Sequence, residues 1–257
     1  MSLSSEQIDR YARHLVLKEI GGPGQQKLLN ARVLIIGAGG LGSPLALYLA
    51  AAGVGTLGIV DDDHVTLSNL QRQIIHGNAD IDRAKTESAK QSIEAITPDV
   101  DVILHTERLT EENASELISQ YDIVADGCDN FETRYLINDT CVAEAKTLVS
   151  AAIGEFDGQI ATFKPHDPSG KFPCYRCLYP EAPPAGAIPP CAEAGILGAV
   201  AGIIGAWQAL EIIREITGFG VSLAGKLLLF DGMNARTRTI TLPRDPACTV
   251  CNSGNPG

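Results

Sequence analysis

The segment from Arg32 to Asp61 constrains this chain most. A short β-branched run, Arg32 to Ile36, leads into Gly37-Ala38-Gly39-Gly40-Leu41-Gly42. A small-residue helix over Leu41 to Gly53 follows, and then a second run, Thr56 to Val60, ending at Asp61. This is a strand-turn-helix-strand unit of about 30 residues, the size of a parallel crossover. Gly37, Gly39, Gly40 and Gly42 let backbone amides approach a phosphate or ribose at a helix N-terminus. Asp61 stands 24 positions after Gly37, where a carboxylate can accept hydrogen bonds from ribose hydroxyls. A structurally required glycine turn, an NAD(P)-dependent oxidoreductase and an ATP-binding protein all remain open on this motif alone.

The alternation continues with a helix over Asp82 to Ile96, a strand over Val100 to His105 and a helix over Glu111 to Gln120. A strand over Asp122 to Ala125, a helix over Phe131 to Ala145 and a strand over Thr147 to Ala152 complete it. Strands separated by helices predict an α/β fold: a Rossmann-like, mostly parallel sheet covered by helices on both faces. Short helices precede it over residues 4–30, with Ser4 or Ser5 as N-cap and Gly21-Gly22-Pro23-Gly24 as a break. Beyond Gly154 the pattern changes. A strand Gln159 to Phe163, a stretch rich in proline and glycine to Pro190, a helix Gly195 to Thr217, and antiparallel β segments Lys226 to Phe230 and Arg236 to Leu242 are expected. With 257 residues, 45% of them hydrophobic, the chain reads as a single unit over 1–257, with a nucleotide-binding core at 31–153 and a second part at 154–257.

A formal charge of -11 opposes binding to nucleic acid or an anionic membrane. The two most apolar windows, Leu41 to Val60 and Ala194 to Ile213, are interrupted by glycine or charge and fit buried helices better than membrane spans. No basic N-terminal stretch leads into an apolar run, so the expected location is cytoplasmic. Seven cysteines include two CxxC pairs, Cys174-Tyr175-Arg176-Cys177 and Cys248-Thr249-Val250-Cys251. Four thiolates so spaced predict a closed, structural zinc site, in preference to free thiols or a redox pair. Cys128 and Cys141 read as small buried hydrophobes. Cys191 stands before a helix, whose N-terminus can favour a nucleophilic thiolate.

Arg72 and Lys85 follow the acidic strand end as cations placed to reach a polyphosphate, and together after Asp61 they favour ATP over a dinucleotide. Taken singly, each also fits a solvated surface charge. The landmarks GAGGLG, VDDDHVTLSNLQRQ, Lys85, DGCDN, PCYRC and CTVC, in this order and over nearly the whole chain, resemble the MoeB, ThiF and HesA family of adenylyltransferases, relatives of the adenylation domain of ubiquitin-activating enzymes. The resemblance implies ATP contacts at Gly40, Asp61, Ser68, Asn69, Leu70, Gln71, Arg72, Lys85, Asp129 and Asn130, and Mg²⁺ on Asp129. An oxygen ligand beside a triphosphate suits that hard cation, although Asp129 also fits a plain helix cap. Arg13 matches an arginine that reaches into the neighbouring subunit's site, so a homodimer is implied; an ordinary exposed arginine fits equally. Cys191 matches a cysteine that in some members carries a covalent acyl link to the carrier, and in others is not needed. The implied reaction is adenylation of the C-terminal glycine carboxylate of a ubiquitin-like sulfur-carrier protein ending in Gly-Gly, in molybdopterin, thiamine or related sulfur transfer. A separate sulfurtransferase or cysteine desulfurase would donate the sulfur. The alternatives are an NAD(P)-dependent oxidoreductase and a zinc-stapled scaffold that binds nucleotide without turnover.

Overall fold

Five parallel strands and three antiparallel ones share one sheet in the order β3-β2-β1-β4-β5-β6-β7-β8. The computed structural model describes residues 3–183 and 195–252. The strands are β1 (Arg32–Ile36), β2 (Thr56–Val60), β3 (Asp101–His105), β4 (Ile123–Asp126), β5 (Thr147–Ile153), β6 (Asp157–Phe163), β7 (Lys226–Asp231) and β8 (Arg236–Thr241). β1, β2 and β4 are near-continuous apolar runs because helices cover both faces of the parallel half. From β5 onward the partners run antiparallel.

Three helices precede β1: α1 (Ser5–Arg10), α2 (Ala12–Leu15) and α3 (Gly21–Asn30). Ser4 caps α1 through a reciprocal box with Gln7, as expected. The glycine-proline cluster does not break the helical region but opens α3, since a proline in the first turn forfeits no intrahelical hydrogen bond. Then come α4 (Gly42–Ala52), α5 (Lys85–Ile96), α6 (Ala114–Ser119), α7 (Phe131–Ala143), the short α8 (Tyr175–Leu178) and the 20-residue α9 (Gly198–Thr217).

One core layer joins α4, α5 and α9 to one face of the sheet through Leu45, Leu49, Ile93, Ile204 and Ile212. The other packs α6 and α7 against the opposite face through Ile118, Ile137, Phe163 and Tyr175. α4 is buried along most of its length because α9 lies over it, which is why its sequence lacks a polar stripe. The two apolar windows are therefore core helices and their strands, and no helix among the described residues is long and apolar enough to cross a membrane.

The helix expected from Asp82 begins at Lys85 instead. Residues 82–85 are held by backbone hydrogen bonds to 63–65: Asp82 N–H to the Val65 carbonyl, Val65 N–H to that of Arg83, and Lys85 N–H to that of Asp63. Asp82 takes φ 70°, and the pairing seats Lys85 against the end of β2.

Candidate functional site

Strand order reverses between β1 and β4, and the crevice at the carboxyl ends of strands around such a reversal is where α/β sheets collect ligands. The turn after β1 is the glycine loop. A Cβ at Gly42 would lie 1.9 Å from the Gly37 carbonyl oxygen, so a side chain there would drive the loop apart. A Cβ at Gly37 would lie 3.2 Å from the carbonyl oxygen of Gly127, in the turn after β4. The two turns thus meet, with α4 starting between them.

Asp61 closes the third side. Its Oδ2 accepts the Ala38 N–H at 2.8 Å and its Oδ1 the Asp63 N–H at 2.9 Å. Lys85 is buried, with Nζ 2.7 Å from Asp63 and 3.8 Å from Asp61. Burial raises the Asp61 pKa above the ordinary carboxylate value, although Lys85 and the two N–H donors pull the other way. Arg72 lies over Gly40, its Cγ 3.6 Å from where a Cβ would stand there, and donates from Nη1 to the Ser68 carbonyl at 3.0 Å. Ser68 and Asn69 lie in a 3-10 turn over Leu67–Asn69, with Leu70 and Gln71 directly after it, and Ser68 and Gln71 are exposed.

In the turn after β4, Asn130 caps α7 by accepting the Thr133 N–H at 2.8 Å. The cap is therefore Asn130 and not Asp129. Asp129 is exposed and makes no hydrogen bond or ion pair with the described residues. Arg13, on α2, is exposed as well. Cys191 lies outside the described residues.

Several residues here escaped the sequence reading. His76 is buried, with Nε2 at 3.0 Å from the Ala38 carbonyl and Nδ1 at 2.8 Å from the Ser88 hydroxyl, so it ties the glycine loop to α5. Asp126 and Arg134 form a buried ion pair under the β4 turn, with Nη1 to Oδ2 at 3.4 Å. Burial by itself lowers the Arg134 pKa, but Asp126 more than compensates and raises it. Gln208, in α9, donates to the carbonyls of Asp126 and Val149. A carboxylate ending the apolar run Ile123-Val124-Ala125, eight residues before an arginine, was the available signal.

The two CxxC pairs meet although 70 residues separate Cys177 from Cys248. Sγ–Sγ distances are 4.0 Å for Cys174–Cys177, 3.7 Å for Cys174–Cys248 and 3.6 Å for Cys177–Cys251. A tetrahedral ion with Zn–S bonds of about 2.3 Å separates its sulfurs by about 3.8 Å, so the donor set and spacing fit zinc. A cavity of about 410 Å³ lies elsewhere, at the amino ends of β4 and β5, and its Lys27 and Lys164 are already engaged by Thr217 and Glu215.

The ThiF family pattern matches residues 11–250. The chain is 51% identical over 246 residues to the probable adenylyltransferase/sulfurtransferase MoeZ of Mycobacterium tuberculosis, covering 96% of this chain and 63% of that protein. It thus spans under two thirds of that relative's length. It is 46% identical over 254 residues to the sulfur carrier protein adenylyltransferase of Thermus thermophilus, covering 98% of this chain and 93% of that protein. Among solved structures, a crystal structure of E. coli MccB superposes with a TM-score of 0.83 at 22% identity, over 94% of this chain and 74% of that one, which establishes likeness of fold.

Proposed function

The chain belongs to the ThiF family, and on that premise we propose that it uses ATP to adenylate the C-terminal glycine carboxylate of a ubiquitin-like sulfur-carrier protein. The observation that carries this reading is the meeting of the glycine loop, Asp61 with Lys85, Arg72 and the Asp129 turn at one crevice. The Thermus relative's name gives the same activity.

Asp61, half-buried and aligned by two backbone N–H groups, is the acceptor for ribose hydroxyls beside the amides of the glycine loop. Arg72 and Lys85 supply positive charge to the phosphates, and Lys85 can exchange its contact with the exposed Asp63 for a phosphate oxygen. The carrier's carboxylate oxygen attacks the α-phosphorus, an O–P bond forms, and the bond to pyrophosphate breaks. Alignment and charge stabilisation carry the rate, with no protein acid or base required. Asp129, whose carboxylate makes no bond within the described residues, together with Asn130, fits a magnesium ion, which would neutralise charge on the leaving pyrophosphate. Cys174, Cys177, Cys248 and Cys251 would hold zinc in a structural role, tying the C-terminal segment to α8.

A homodimer is part of the proposal. α9 leaves Ile203 and Leu210 exposed one heptad apart, and α4, packed against it, exposes Tyr48. Arg13 then completes the neighbour's site. The sulfur donor is a sulfurtransferase or cysteine desulfurase, and the acyl adenylate meets it directly or through Cys191.

ATP–pyrophosphate exchange with carriers ending in Gly-Gly tests the reading. Exchange dependent on both carrier and magnesium is expected, and silence with every such carrier would remove its basis.

A further inference from the structure

The turn that presents Asp129 is clamped from beneath by the Asp126–Arg134 pair, and the two partners spend hydrogen bonds on the two peptide groups that flank the Cα of Cys128. Asp126 Oδ1 accepts the Cys128 N–H at 3.0 Å, and Arg134 Nη2 donates to the Cys128 carbonyl oxygen at 2.5 Å. The Cys128 thiol donates to the same Oδ1, while Ser150 Oγ donates to Oδ2 at 2.6 Å, so the carboxylate is saturated. On the far side Asn130 is fixed by its own capping bond. Asp129, between these two anchors, is exposed and bonded to nothing described.

A buried ion pair is weak evidence of stability, because the desolvation of both charges offsets much of their attraction. Two apolar side chains of similar volume would hold α7 to the sheet as well. They would not fix the orientation of the main chain at Cys128, whereas the carboxylate holds the peptide group before it and the planar guanidinium the one after it. Arg134 also lies beside Tyr175, which follows Cys174 of the thiol cluster. α8 is docked on α7 by the Tyr175 N–H to Asn138 at 2.7 Å and by Arg176 on both oxygens of Asp139. The clamp thus lies between the cysteine cluster and the nucleotide edge.

We propose that Arg134 is a positioning residue for adenylation: with Asp126 it locks the main chain on both sides of Cys128 so that the Asp129 carboxylate is presented at a fixed place over the sheet edge. This rests on the adenylation reading above, and the test separates the two.

Removing Arg134 alone leaves a buried carboxylate uncompensated, so the informative variant is the neutral pair Asp126→Asn with Arg134→Gln, which keeps polar atoms without buried charge. Hydrogen exchange of the peptide covering residues 127–130, in the free protein, is expected to quicken about tenfold, because the Cys128 N–H loses its ionic acceptor. In ATP–pyrophosphate exchange, kcat falls about 100-fold, the scale of a roughly 1 Å misplacement, and half-saturating Mg²⁺ rises, while the carrier KM stays within about twofold. Adding Asp129→Ala to the pair lowers exchange only to the level of Asp129→Ala alone, since both act through one carboxylate. If the pair melts below the assay temperature, Arg134→Lys, which keeps the charge and loses the fork, makes the same comparison, with about a tenfold loss expected. Unchanged protection of the turn, or losses that multiply with Asp129→Ala, would overturn the proposal. No exchange in the wild type would sink the adenylation reading, and hydrogen exchange would still decide whether the clamp exists.

Discussion

Asp129 and Asp61 are carboxylates of the same crevice under opposite constraints. Asp129 is exposed and bonded to none of the described residues, so Asp129→Ala should leave the melting temperature within about a degree, as for surface sites. ATP–pyrophosphate exchange should fall by about 10² to 10³, the loss typical of an electrostatic group at a phosphoryl centre. Paired thermal melts and exchange rates check both. His76 yields a stability prediction. Burial lowers its pKa below 6.5, with Lys85 adding to the shift and the Ala38 carbonyl opposing it. Between its folded value and 6.5 the unfolded chain binds more protons, so stability is complete above about pH 6.5 and is lost as pH falls through that window. Denaturant unfolding from pH 5 to 8 should show this slope, and His76→Gln should reduce it. His105 and His166, lowered by burial too, supply the remainder. The GAGGLG loop and Asp61 were legible because their chemistry depends on spacing along the chain. His76 was not, since nothing in Gln73-Ile74-Ile75-His76 announces that the ring will reach back to Ala38.

At the scale of elements, the β4–α7 turn and the cysteine cluster are each held by residues far apart in sequence. Cys248 and Cys251 bind the last described turn to Cys174 and Cys177 at the start of α8. Removing a bound metal should therefore release the 242–252 segment and α8 while leaving the parallel half of the sheet protected. Hydrogen exchange before and after chelation checks this, alongside metal analysis expected to give about one zinc per chain. α9 makes the other long-range contact. A Cβ on Gly205 would stand 2.5 Å from both the Leu41 carbonyl oxygen and Pro44 Cγ. Gly205→Ala should thus cost about 1–3 kcal/mol in denaturant unfolding, by forcing α9 off α4.

For the whole molecule, the apolar exposure on α4 and α9 and the placement of Arg13 on an exposed N-terminal helix predict function shared between two copies. Arg13→Ala and Asp129→Ala proteins should each be nearly inactive in exchange. Mixed after reversible dissociation, they should recover about a quarter of wild-type activity, because half the dimers are mixed and each of those holds one intact site. Sedimentation of the wild type should give a dimer. Recovery absent in proven mixed dimers would place Arg13 outside the neighbour's site. From the amino-acid sequence alone came the α/β alternation, the glycine loop with its carboxylate, the basic pair and the two cysteine knuckles, because periodicity and short spacings are local properties. Only the tertiary structure decided that Lys85 is buried between Asp61 and Asp63, that the knuckles converge, and that Asp126 and Arg134 hold the turn of Asp129. Those depend on which strands become neighbours in the sheet, and burial then makes each charge seek the partner that the fold brings to it.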